Sequence, residues 1–223
     1  GPDAERELVF IPVGINYDRV IEDRSLLRKL DDAPPRGSLW RTLRITGAYL
    51  GRQFVFTLLG RRYRYGYACV NFGQPLSMRG WVREHGVDFR GLTDAQRRDA
   101  VGAVGQALMA TIGQTIPVLP VPLVARVLAA DPQRAWSELE LKAAVLTLME
   151  RAENQGAHVY VPRSDRDYAI SVGLRMLTLR HLALDDEGLI RANPAELRVL
   201  SYYANSIAHL FDPERQTGPE GPV

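Results

Sequence analysis

At 223 residues, with 46% hydrophobic and 24% charged side chains, the chain can bury a core as one large domain or two small ones and is too apolar for wholesale disorder. Its one cysteine, Cys69, excludes an internal disulfide and a cysteine-based zinc site, and no uninterrupted apolar run approaches the roughly 18 residues of a membrane span. The net charge of +2 hides an asymmetry: Ala33 to Arg83 holds nine arginines and no acid, giving +9 there and −7 elsewhere, which points to one face that meets anions such as a phosphate substrate, anionic lipid or nucleic acid.

Gly1-Pro2 stands where an initiator methionine would, as after a protease cut or in a piece of a longer chain. Leu8 to Ile15 is a continuous apolar run of strand length, predicting a strand covered on both faces, with Pro12 ending, bulging or edging it because proline gives the ladder no N–H. Arg24 to Leu30 reads as a short helix. Ser38 caps a predicted helix reaching about Gly60, with Leu39, Leu43, Leu50 and Phe54 on one arc and Arg41, Arg44 and Arg52 opposite. Its apolar end runs into Arg61, Arg62, Tyr63, Arg64 and Tyr65, the pattern of an interfacial helix whose arginines meet lipid phosphates.

Tyr67 to Phe72 reads as a second strand and Ser77 to Glu84 as a short helix. Thr93 caps a helix over about Asp94 to Thr115, with Val101, Val104, Leu108 and Ile112 at helical spacing. Pro117, Pro120 and Pro122 cut the next segment. Ser137 with Glu140 forms a capping box for a helix to about Asn154. Ser164 starts a helix to about Leu182, Asp186-Glu187-Gly188 makes a hairpin turn, and Asn193-Pro194 opens a last helix ending near Phe211. The remaining residues read as a polar, disordered tail.

His181 and Asp186 match the H-x4-D spacing of a histidine base oriented by an aspartate, but they run from a helix end into a hairpin, a poor place for catalysis. Ser206, His209 and Asp212 share a helix face without the exposed strained turn a nucleophilic serine needs. His85 and His158 have no ligand-spaced partners, and no phosphate-binding glycine loop or metal motif is present, so no catalytic or metal residue is assigned. The basic stretch fits no recognised nucleic-acid module, and no nucleic-acid partner is expected.

Several blocks together carry a resemblance. Phe10-Ile-Pro-Val-Gly-Ile-Asn-Tyr-Asp-Arg-Val20, Ser38-Leu-Trp-Arg41, Arg64-Tyr-Gly-Tyr67 leading to Val70-Asn-Phe-Gly-Gln-Pro-Leu-Ser77, and Tyr202-Tyr-Ala-Asn-Ser-Ile-Ala-His-Leu210 closely resemble the membrane-bound glycerol-3-phosphate acyltransferases of the bacterial and mitochondrial type. The resemblance implies transfer of a fatty acyl group from acyl-CoA or acyl carrier protein to the 1-hydroxyl of glycerol 3-phosphate, with no other cofactor. In such enzymes a histidine of an upstream H-x4-D block takes the hydroxyl proton. That block and the phosphate-binding blocks are missing here, so the chain looks like the carboxy-terminal part and is predicted inactive alone.

What carries over is the block at Ile11, Pro12 and Val13, whose proline borders the substrate site, with Tyr17, Asp18 and Arg19 as supporting candidates. Arg41, Arg44, Arg52, Arg61, Arg62 and Arg64 are the expected contacts to an anionic membrane surface. The implied fold is α/β: residues 1–88 as the back half of a glycerolipid acyltransferase-like mixed sheet with helices, 89–211 as a mostly helical domain, and 212–223 as tail. The expected partners are glycerol 3-phosphate, the acyl donor, the anionic membrane and the upstream part of the same catalytic domain. The expected place is the cytoplasmic face of the membrane, peripheral or monotopic. A dihydroxyacetone phosphate acyltransferase and a non-catalytic membrane-association module are the alternatives.

Overall fold

The computed structural model describes residues 7–29 and 66–211. The helix expected from Ser38 to Gly60, the membrane-facing arginines Arg41, Arg44, Arg52, Arg61, Arg62 and Arg64, and the tail from Asp212 lie outside the described residues. The chain divides into two compact units, Gly1–Asp18 with Tyr67–Val223, and Arg19–Gly66. The described part of the second holds a short helix, α1 (Asp23–Lys29), with the buried Asp23 in its first turn.

In the first unit, β1 (Val9–Phe10), β2 (Val13–Tyr17), β3 (Ala68–Phe72) and β4 (Leu76–Ser77) form two short antiparallel pairs, β1 on β4 and β2 on β3. Between the pairs the Gly73 N–H reaches the Pro12 carbonyl at 2.9 Å. The interruption falls at Pro12, as its missing N–H requires. Contrary to the expectation of a strand covered on both faces, β2 alternates: Val13, Ile15 and Tyr17 are exposed, while Gly14 and Asn16 are buried. The reason is a period of two running through the apolar stretch. Odd positions are large and apolar, whereas Pro12, Gly14, Asn16 and Asp18 are small or polar and go inward.

After the ribbon come α2 (Met78–His85), capped by Ser77, and α3 (Asp94–Thr115), closed at its start by a capping box of Thr93 and Gln96. Of the residues expected on its buried face, Val104 is buried and Leu108 and Ile112 half-buried, but Val101 is 58% exposed. Gly102 and Gly105 beside it have open space around them.

The prolines read as cutting the next segment instead begin a helix, α4 (Pro120–Ala130). Pro120 sits at the first helical position and Pro122 two further on, where an amide N–H would have no partner within the helix. Val121, Leu123, Val124, Ala125 and Leu128 are all buried, making α4 the centre of the helical core.

Around it run β5 (Trp136–Ser137), α5 (Glu138–Asn154), α6 (Arg166–Leu179), the hairpin β6 (Ala183–Asp186) and β7 (Leu189–Ala192), and α7 (Leu197–Asn205). The capping box of Ser137 and Glu140 forms as expected. Gly173 lets α6 approach α4 closely, since a Cβ there would lie 2.6 Å from the Pro120 carbonyl oxygen. The helix expected from Ser164 starts later, because Arg163 and Ser164 are left-handed and Asp165 is the cap that accepts the Tyr168 N–H. The last helix stops at Asn205, and a separate short turn covers Ala208–Leu210. The three strands stack in the order β5-β7-β6. Helix, strand, two helices and hairpin, with the first strand beside the second arm of the hairpin, is the connectivity of a winged helix.

Candidate functional site

The block singled out from sequence lies on the ribbon, and the alternation splits it between two faces. Ile11, Val13 and Tyr17 are exposed, together with Ile15, Val70 and the 69% exposed Phe72. The register sets Val13 opposite Phe72 and Ile15 opposite Val70, so these side chains make one continuous apolar surface. A patch of this kind on a soluble surface marks a place where something packs.

Pro12 and Asp18 point the other way, toward the corner where α3 ends and α4 begins. Gly14 touches that corner: a Cβ on it would lie 2.5 Å from the Thr115 carbonyl carbon and 2.6 Å from the Ile116 nitrogen. Asn16 donates from Nδ2 to the Pro117 carbonyl at 2.9 Å, and Asn71 donates from Nδ2 to the Thr115 carbonyl at 3.2 Å. These amides satisfy carbonyls that the end of α3 and the linker would leave open.

Asp18, 1% exposed, completes the corner. Its Oδ1 accepts the Val121 N–H at 2.9 Å and its Oδ2 the Tyr67 N–H at 3.1 Å. With prolines at 120 and 122, Val121 carries the one backbone donor among the first three positions of α4, and a residue far away in sequence takes it. Burial pushes the Asp18 carboxyl up to about 6, against the two N–H groups that favour its charged form. Both oxygens are therefore occupied within the fold. Arg19 is half-buried and opens the second unit. The nearby Cys69 thiol is raised by burial and by the Asp18 charge.

Gly14, Asn16 and Asn71 were not singled out from sequence, although the small-or-polar residue at every second position was a signal for them. Elsewhere, an extended strand separates His181 from Asp186, and Asp186 faces Arg191 at 3.6 Å. Ser206 donates to the Tyr203 carbonyl and His209 to the Gly113 carbonyl, each at 2.8 Å, while Asp212 lies outside the described residues. Among the described residues no group of His, Cys, Asp and Glu is placed to hold a metal ion, and no helix is long and apolar enough to cross a membrane.

A helical array closed onto a small antiparallel ribbon with an open apolar face defines a mixed α/β fold. A sequence model of the family described as glycerol-3-phosphate acyltransferase C-terminal region matches residues 55–214, and the chain belongs to that family. Similar proteins include the glycerol-3-phosphate acyltransferases of Xylella fastidiosa strain 9a5c, 25% identical over 217 residues, and of Pseudomonas putida strain W619, 26% identical over 219. That of Alteromonas mediterranea is 24% identical over 218 residues. The alignments cover 92%, 92% and 93% of this chain but 23%, 24% and 25% of those proteins. The chain thus spans about a quarter of the length of the curated relatives it matches.

Proposed function

We propose that this chain is the carboxy-terminal part of a glycerol-3-phosphate 1-O-acyltransferase of phospholipid synthesis, and that residues 1–88 belong to its catalytic α/β domain while 89–211 form the helical domain behind it. The observation that carries the reading is the ribbon's open apolar face, Ile11, Val13, Ile15, Tyr17, Val70 and Phe72, in a chain that spans a quarter of its relatives. The upstream part of the same catalytic domain is the natural cover for that face.

In the reaction, the 1-hydroxyl oxygen of glycerol 3-phosphate attacks the thioester carbonyl of acyl-CoA or acyl carrier protein. The thiolate leaves, and a base from the upstream part takes the hydroxyl proton. This chain supplies the wall at Ile11 to Val13, and alone it transfers nothing. Arg41, Arg44, Arg52, Arg61, Arg62 and Arg64 meet the anionic cytoplasmic face of the membrane, where the lipid product leaves. Nucleic acid is not the partner despite the winged connectivity, because the hairpin tip carries Asp185, Asp186 and Glu187, all exposed, which repel phosphates.

The test is acyl transfer by purified residues 1–223 and by the full-length protein of the same reading frame. Transfer by the full-length protein alone is expected. Transfer by residues 1–223 that disappears in His181→Ala would overturn the reading. Co-sedimentation with vesicles should rise with anionic lipid content, and binding indifferent to it would count against the membrane contact.

A further inference from the structure

The ribbon's polar face bears on how the proposed site is built. Gly14 pairs with Asn71 across the ribbon, one step from the Val13 and Phe72 pair, and Asn16 lies two residues further along the same strand. The amide of Asn16 donates to the Pro117 carbonyl in the linker between α3 and α4 at 2.9 Å, and that of Asn71 to the carbonyl of Thr115, the last residue of α3, at 3.2 Å. The amide oxygen of Asn16, Oδ1, accepts the Tyr17 N–H at 2.9 Å, which fixes the orientation of its carboxamide. Because side chains alternate in a strand, a slip of one residue would turn Ile15 inward and carry Val13 to the opposite face. Apolar contact alone specifies such a register poorly on a ribbon whose inner face is small and polar, whereas two directed donors specify it well.

We propose that Asn16 and Asn71 are positioning residues of the acyl-transfer site, through which the helical domain sets the register of the ribbon and thereby the placement of Ile11 to Val13. This rests on the reading of that segment as a wall of the substrate site. Neither amide touches substrate in this assignment. Both act through the strand, and the helical domain becomes part of what shapes the site.

The experiment compares Asn16→Asp and Asn71→Asp, which keep size but replace the donor with an acceptor facing a carbonyl, with Asn71→Gln, which keeps a donor. Hydrogen exchange is followed in residues 1–223, and steady-state kinetics in the full-length protein. Each Asp variant should speed exchange of the Val13–Tyr17 and Ala68–Phe72 amides by about tenfold, leaving the buried amides of Pro120–Ala130 within about twofold. The KM for glycerol 3-phosphate should rise by a similar factor with kcat held within about twofold, and Asn71→Gln should recover most of the loss. Unchanged exchange and kinetics in both Asp variants, or a fall in kcat at constant KM, would overturn the positioning role while leaving the acyltransferase reading intact. A wild-type full-length protein without transfer activity would instead remove that reading, and the positioning role with it.

Discussion

Replacing Gly14 by alanine probes the contact between ribbon and helices directly. Ordinary van der Waals contact begins at 3.4 Å, and the added Cβ would start 2.5 Å from the Thr115 carbonyl carbon, so the ribbon must retreat by about 0.9 Å from a main-chain surface that cannot rotate away. Such a shift would stretch the Asn16 bond to Pro117, now 2.9 Å, and the Asn71 bond to Thr115, now 3.2 Å, to about 3.8 and 4.1 Å, beyond hydrogen-bonding range. Losing each costs about 1 kcal/mol, and the overpacking that remains adds about 1–3 kcal/mol. The expected destabilisation is about 3–5 kcal/mol, read from urea unfolding followed by far-ultraviolet circular dichroism. The control is Gly102→Ala in the interior of α3, where nothing lies within 4 Å and the change should stabilise by about 0.5–1 kcal/mol. Two identical substitutions should therefore move stability in opposite directions. A Gly14→Ala variant within about 0.5 kcal/mol of the parent would refute the close approach on which the docking rests.

Asp18 predicts a pH dependence. Its folded value of about 6 lies above the ordinary 3.8, so the folded state holds its proton more tightly than the unfolded one. The contribution is full below the ordinary value and is lost as pH rises through about 6; between pH 7.5 and 5 the chain should gain about 1.4 kcal/mol from this group, a gain absent in Asp18→Asn. Unfolding titrations at the two pH values check it, and an identical pH slope in both proteins would contradict it. Glu187 holds a left-handed φ of 53° in the hairpin turn before Gly188, so Glu187→Asn should stabilise by about 1 kcal/mol, seen as a rise in Tm of about 2–4 °C. Ile15→Ser combined with Phe72→Ser, at exposed positions, should leave the unfolding free energy within about 0.5 kcal/mol per substitution but reduce self-association in sedimentation velocity.

What could be read from the sequence was mostly local. The capping boxes at Thr93 and Ser137 place donor and acceptor three residues apart, so the chain announces those helix starts by itself. Pro120 and Pro122 were misleading because proline stops a helix it sits inside and suits one it begins, and only the burial of the following residues separates the cases. The strand at Leu8 to Ile15 looked uniformly apolar when counted as a run. Its alternation emerges once proline, glycine and asparagine are counted as inward positions with little to bury. Least legible were the partners of Asn16 and Asp18, 101 and 103 residues away, since no local pattern records which carbonyl or N–H a folded chain will bring to a side chain.

That long reach bears on where the polypeptide can be divided. A helical fragment beginning at residue 89 would look self-sufficient by its hydrophobic content, yet it would leave behind the carboxylate that caps its central helix and the amides that cover two of its carbonyls. Its Val121 N–H would then exchange the Asp18 carboxylate for water, a loss of about 0.5–1.5 kcal/mol at the start of the helix around which the others pack. The strand and the helices are best handled as one heritable piece, and a swap of the helical region between relatives should carry the strand from Glu7 to Asp18 and its mate from Tyr67 to Ser77 along with it.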